Sequence, residues 1–233
     1  MQILAADPDR KIAALRENSY FSSLSDRLLE DLAGGVSLRR YERGEVLFWE
    51  GEPCDGLYYM RSGSVKLFKT SPQGRELIIR VFEEGATFNE VPVFDRGLNP
   101  VNVEALATCD VWVIDAQAIR NAIDVYPEMC PAVIKNLTEN LRSLVDMLEE
   151  LSFYQVTNRL ARLLSRLPEE QLSGSASQRL TQDQIAARLG TVREVVARAL
   201  RELQRSGAIR VKRSRIDILD KEILGNWAEC PQE

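Results

Sequence analysis

Three residues, Arg193, Glu194 and Arg198, carry the most specific chemistry in the sequence. They lie in TVREVVARALRELQRSG, where Val192, Val195, Val196, Ala199, Leu200 and Leu203 recur at helical spacing and predict a buried stripe. Arg193, Glu194, Ala197, Arg198 and Arg201 then share the opposite side. Arginine offers a forked donor that matches guanine O6 and N7, and glutamate can accept from the cytosine amino group. Residues near the N-terminal end of such a helix reach base edges first. The pattern predicts base reading in a major groove by Arg193, Glu194 and Arg198.

The elements that must position these side chains are also readable. LTQDQIAARLG predicts a short helix with Thr181 as N-cap, Gln184 at the capping-box position and Gly190 as the stop. The second helix follows after a turn, with Thr191 as its expected cap and Gly207 as its end. Two helices joined by a turn make a helix-turn-helix candidate, and Thr181, Gln182 and Thr191 join the expected DNA contacts. AIRVKRSRIDILD then alternates apolar residues around a basic tip, so Lys212, Arg213 and Arg215 are expected on a phosphate backbone.

Charge agrees with this reading. The chain of 233 residues has 30 Lys+Arg against 35 Asp+Glu, a net −5. Residues 178–215 alone are +7, which leaves −12 on the rest. An acidic body with one basic module fits a local nucleic-acid contact. The other reading of the module is a docking surface for a protein partner. Enzyme classes fare worse. The sequence has no histidine, which removes Ser-His-Asp and Cys-His nucleophiles, His-containing zinc sites and haem held by a proximal histidine. Cys54, Cys109, Cys130 and Cys230 are far apart without a CxxC pair, as expected of reduced thiols rather than a disulfide framework or metal cluster. No signal-like segment or run of 18 apolar residues occurs, so the expected location is the cytoplasm, without a membrane contact.

From about residue 36 to 115 the sequence changes to short runs rich in β-branched and aromatic residues. EVLFW, GLYYM, SVKLF, ELIIRVF and VWVID predict half-buried strands separated by glycines, with a hairpin turn at Ser71–Gly74. Short helices are expected over residues 8–34. Cys130, Ile134, Leu137, Leu141, Leu144, Leu148 and Leu151 then alternate steps of four and three through three heptads. Such a seam suits a partner helix; the alternative is one helix lying on its own sheet. Asn136 and Asn140 flank it and could face a partner or a ligand. A further helix is expected at about residues 154–167, and PEEQLSGSASQ reads as a loop.

Taken together, these segments resemble the cyclic-AMP receptor protein / fumarate-nitrate reductase regulator (CRP/FNR) family over nearly the whole chain. RGEVLFWEGEPCDGLYYMRSGSVKLF is similar to the family's β-roll, the heptad helix to its dimer helix, and residues 180–219 to its winged helix-turn-helix signature. The G-x-x-R-E-x-V-x-R core falls on Gly190, Arg193, Glu194, Val196 and Arg198. The resemblance implies an α+β chain: a jelly-roll-like antiparallel β-roll sensor over residues 1–125, a dimerisation helix over 126–152, and a DNA-binding domain over 153–233. It further implies a homodimeric transcription regulator on a palindromic site that contacts RNA polymerase.

The sensory half departs from the family's nucleotide binders. Their Gly-Glu pair corresponds here to Asn89-Glu90, and no arginine follows Pro100 to hold a cyclic phosphate. A phosphate buried without a cation or adequate donors would be poorly compensated. Cyclic AMP is therefore not the expected effector. The iron–sulfur members' N-terminal cysteine cluster is also absent, and haem would need a non-histidine ligand. Asn89, Glu90, Asn99, Asn102, Asn136 and Asn140 are the candidate effector residues, with Glu90 either a ribose acceptor or a solvated carboxylate.

Overall fold

In the computed structural model, residues 1–22, 24–175, 179–212 and 215–229 are described, apart from the Glu128 side chain. In chain order the first elements are β1 (Gln2–Leu4), α1 (Pro8–Glu17), α2 (Asp26–Ala33), β2 (Val36–Tyr41), β3 (Val46–Phe48), β4 (Gly56–Ser62) and β5 (Ser64–Thr70). Next come β6 (Glu76–Glu83), β7 (Thr87–Phe88), α3 (Glu90–Asp95), β8 (Asn102–Ala105), β9 (Cys109–Asp115) and α4 (Ala116–Val125). A 3-10 turn at Pro127–Met129 leads into α5 (Cys130–Phe153). The last elements are α6 (Val156–Arg166), α7 (Glu169–Ser173), α8 (Gln182–Arg188), α9 (Arg193–Arg205), β10 (Ile209–Lys212), β11 (Arg215–Ile218) and α10 (Lys221–Glu229).

By contacts the chain divides into two compact units. One joins Met1–Lys69 to Ile79–Leu141, the other Thr70–Ile78 to Arg142–Glu233. The strands form a five-stranded sheet in the order β1-β2-β9-β4-β7 and a four-stranded sheet in the order β3-β8-β5-β6. Their facing residues, including Tyr58, Met60, Phe88, Val111 and Val113, make an apolar core. Period-two alternation sends Leu57, Tyr59, Trp112 and Ile114 to the other face, where they meet α1, α2 and α4. GLYYM and VWVID are therefore buried on both faces, not half-buried as expected, because helices cover the second face. Gly56 permits the central β4–β9 approach: a Cβ there would lie 2.1 Å from the Ile114 carbonyl oxygen.

Two other differences concern helices. The loop expected at PEEQLSGSASQ contains the short α7; residues 176–178 of that stretch lie outside the described residues. The heptad helix is present as α5, but its seam is not uniform. Leu137 is partly buried and, with Val133, packs on the core of its own unit. Ile134, Leu141, Leu144, Leu148 and Leu151 are exposed, between 39% and 65%, and Val145 and Phe153 join them. The start of the helix thus lies on its own domain, while the later heptads present the apolar face a partner helix requires.

Candidate DNA-reading head and effector region

The second unit builds a helix-turn-helix around one core of α6, α8, α9, β10, β11 and α10 side chains. Thr181 accepts from the Gln184 N–H, and the Gln184 side chain accepts from the Thr181 N–H, a complete capping box. Gly190 then adopts φ +62°, which turns the chain between the helices. The cap of α9 differs from expectation. Val192 is its N-cap with no side-chain hydrogen bond, while the Thr191 N–H donates to the Ala186 carbonyl at 2.9 Å. The turn uses Thr191 as backbone, so its hydroxyl does not close the helix.

Buried and half-buried polar side chains hold this frame. Arg159 of α6 donates to the Leu189 carbonyl at 2.7 Å, and Thr157 donates to the Glu202 carboxylate of α9. Asn158 and Arg162 donate to the Trp227 and Ala228 carbonyls and fasten α10 to α6. The apolar stripe of α9 is buried at Val196, Ala199, Leu200 and Leu203, with Val192 and Val195 at its half-buried edge. The other side leaves Arg193, Glu194, Arg198 and Arg201 exposed around the half-buried Ala197. Arg193 lies 3.8 Å from Asp183, both exposed, and Arg198 makes no ion pair among the described residues. Arg201 folds back along its helix to the Ala197 carbonyl. Thr181 is exposed and Gln182 half-buried at the start of α8. The face therefore stands on a regular helical backbone and is loosely partnered in its side chains.

On the wing, charge is lower than the basic count implies. Arg215 donates to Asp217 at 2.6 Å, and Arg210 lies 3.5 Å from the same carboxylate. Asp217 is held below the usual aspartate range mainly by that Arg215 bond. This carboxylate sits just beyond the basic stretch, and the alternation of β10 and β11 pairs Arg210 with Asp217 across the strands, a signal available in the sequence. Lys212 is exposed; Arg213 lies outside the described residues.

In the first unit the six candidate effector residues separate into three groups. Glu90 is only 6% exposed, so it is not a solvated carboxylate. The Tyr20 hydroxyl donates to it at 2.9 Å, and Asn140 of α5 is a second side-chain partner. Arg80 donates to the Asn140 Oδ1, so Arg80, Asn140, Glu90 and Tyr20 form one chain of polar contacts. Asn136 lies on the same helix and donates to Ser19. Asn89 instead donates to the Asn99 Oδ1 at 3.3 Å and to the Gly56 carbonyl, and Asn99 donates to the Pro53 carbonyl. Asn89 has φ +74°, so it retains the left-handed backbone for which glycine is the usual residue. Asn102 belongs to the sheet: it accepts from the Glu50 N–H and donates to the Phe68 carbonyl. Tyr20 and Arg80 were missed by sequence reasoning. Tyr20 stands 70 residues from its partner, though a lone arginine inside the apolar run ELIIRVF was a visible anomaly.

Burial raises the Glu90 carboxyl above its ordinary value of 4.5, against the lowering effect of its own hydrogen bonds and Arg80. A raised native value means that the folded protein holds this proton more tightly than the unfolded chain. Stability contributed by Glu90 is thus full below 4.5 and declines as pH rises through the raised value. Glu90→Gln should flatten that decline in urea titrations taken across the mildly acidic range. Loss of stability below 3.8, where Asp110 is held down by its Arg40 bonds, should persist in the variant. An unchanged slope above 4.5 would show that Glu90 does not carry the effect.

Residues 38–126 match the family model for the cyclic nucleotide-binding domain, and residues 158–227 the Crp-like helix-turn-helix domain. A CRP-like, cyclic-AMP-activated global transcriptional regulator of Mycobacterium tuberculosis is 32% identical over 193 residues, covering 81% of this chain and 86% of its own. A cyclic AMP receptor protein of Thermus thermophilus is 28% identical over 195 residues, covering 83% and 89%. Among solved structures, a CRP/FNR-family transcriptional regulator from Thermus thermophilus superposes with TM-score 0.69 at 26% identity, covering 84% of this chain and all of that one. The c-di-GMP-responsive global regulator CLP of Xanthomonas campestris shares the fold, with TM-score 0.70 at 22% identity over 84% of this chain and all of its own. These relatives are transcription regulators, not enzymes. Among the described residues no group of acidic or cysteine side chains could hold a metal ion, and no helix is long and apolar enough to cross a membrane.

Proposed function

The chain belongs to the CRP/FNR family of transcription regulators, and from that premise we propose that it reads a palindromic DNA site as a cytoplasmic homodimer. It is a DNA-binding transcription regulator by its helix-turn-helix and its relatives. In the finer reading, Arg193, Glu194 and Arg198 read bases, and Ala197 and Arg201 line the same groove face. Thr181, Gln182, Thr191, Lys212, Arg213 and Arg215 hold the backbone. The α5 seam pairs two chains, and the dimer recruits RNA polymerase. Residues 1–125 form the sensor, 126–152 the dimerisation helix and 153–233 the reading head. The observation that carries this is the exposed, loosely partnered arginine face of α9, backed by the buried Val196, Ala199, Leu200 and Leu203.

The effector in this reading is not cyclic AMP, although several relatives are named for that ligand. Pro100 and Val101 offer no cation for a phosphate, Asn89 already donates to Asn99 and the Gly56 carbonyl, and Asn99 donates to the Pro53 carbonyl. The Glu90 carboxylate is occupied by Tyr20. An iron–sulfur cluster is no part of the proposal, and haem would require a cysteine or methionine ligand. Binding to a mixed-sequence duplex, followed by fluorescence anisotropy, should weaken steeply with salt, by about three decades between 50 and 200 mM if six or more phosphates are neutralised. Adding ~1 mM cyclic AMP, a concentration that saturates any site tighter than that, should leave the curve unmoved. Salt-insensitive or absent DNA binding would favour the protein-docking alternative, and tightening by cyclic AMP would overturn the effector proposal.

A further inference from the structure

Outside the regions discussed so far, the first unit has a half-open polar cleft of about 690 Å³. Its volume falls in the ~300–1,000 Å³ range of small-molecule sites. It lies on the outer face of the five-stranded sheet, where Tyr59 of β4 and Trp112 of β9 are register partners. The exposed Glu17, at the end of α1, and Glu84, in the turn after β6, stand on its rim, and Arg61 and Asp110 also line it.

Two facts point to a ligand. Tyr59 and Trp112 are 9% and 4% exposed and line the cleft, yet among the described residues neither the phenol nor the indole N–H has a hydrogen-bond partner. Neither polar atom is sealed from solvent, so both donors stand open to a molecule that enters the cleft. The two rim carboxylates are also unpaired: Glu17 and Glu84 make no ion pair among the described residues. Asp110 is different, since Arg40 grips it at 2.7 and 2.9 Å and Arg61 stands 3.7 Å away. The Tyr59 phenol is raised above the ordinary tyrosine range, first by burial and then by the Glu17 and Glu84 charges, which places both carboxylates in its electrostatic reach. The cleft therefore combines negative charge at its rim with solvent-open donors that have no protein partner among the described residues.

We propose that this cleft binds a small aliphatic amine bearing a hydroxyl, with its ammonium groups on Glu17 and Glu84 and its oxygen accepting from Tyr59 and Trp112. Charge selects the amine, and the open phenol and indole donors select the oxygen. A neutral polyol would leave the carboxylates without a counter-charge, and a plain alkylamine would leave the phenol and indole to water.

Calorimetry on the full chain in amine-free buffer tests this with diaminopropanol, diaminopropane and glycerol, three probes of similar size. Diaminopropanol should bind saturably, diaminopropane more weakly, and glycerol not at all. The double variant Glu17→Gln/Glu84→Gln, changed only at exposed positions, should lose affinity by on the order of tenfold or more. Tyr59→Phe keeps the ring and should shrink the preference for diaminopropanol over diaminopropane, an effect that packing alone would not produce. Circular dichroism checks that each variant is folded. Absence of saturable heat at ~10 mM diaminopropanol, equal binding of glycerol, or unchanged binding by the folded double variant would each overturn the proposal.

Discussion

Replacing Leu144 and Leu148 together with glutamate is expected to give a folded monomer whose DNA affinity falls at least about a hundredfold. Both side chains lie on the later heptads of α5, at 50% and 65% exposure, so neither supports the core of its own chain. The substitution therefore leaves each unit's packing intact. In the proposed dimer the same positions face the partner helix, and two buried carboxylates per chain, four in the seam, would have no compensating charge. Once the seam opens, each reading head binds a half-site alone. Linked binding of two sites exceeds either one by about 10²–10⁴, and that advantage is lost. Sedimentation equilibrium should report one chain, circular dichroism an unchanged helix content, and anisotropy the weaker binding. Leu137→Glu should behave differently, because Leu137 packs on its own unit, and should lower stability as well as dimerisation. A Leu144→Glu/Leu148→Glu protein that remained dimeric would place the interface elsewhere.

Arg198→Ala is expected to weaken the preferred site by about 1–3 kcal/mol and relax base choice at one position in each half-site. Arg193→Ala should act similarly at another position, where it first has to leave Asp183. Neither residue supports the fold, and α9 keeps its buried Val196, Ala199, Leu200 and Leu203 in both variants. The Lys212→Ala wing variant makes the contrast. Its loss should be nearly uniform across sequences and should flatten the salt slope by about one. Arg215→Ala should do less than its charge implies, since that guanidinium is already shared with Asp217. A base preference unchanged by Arg193→Ala and Arg198→Ala would remove both from the assigned role.

What could be read from the sequence followed the range of the interactions. The Thr181–Gln184 capping box spans three residues, so local spacing sufficed to find it. The strands of the β-roll, α5 and the two helices of the reading head were legible because hydrophobic period survives in any tertiary setting. Thr191 misled because it is a good capping residue one step too early; the left-handed Gly190 displaces the true N-cap to Val192. The both-sided burial of β4 and β9 could not be told from apolar runs alone, since it depends on where α1, α2 and α4 pack. The candidate effector region was least legible. Tyr20, in the turn after α1, Arg80 of β6, Glu90 of α3 and Asn140 of α5 are far apart in the chain, and nothing local marks them as one network. Asn102 was grouped with them by residue type, yet its amide serves the sheet.

Selection of DNA sites from a random duplex pool by the purified full chain tests the central claim most directly. The account predicts an enriched inverted repeat with half-sites about one helical turn apart, roughly 10 base pairs centre to centre, and loss of one defined base preference per half-site in Arg198→Ala. Enrichment of no sequence, or of a site without two-fold symmetry, would contradict it.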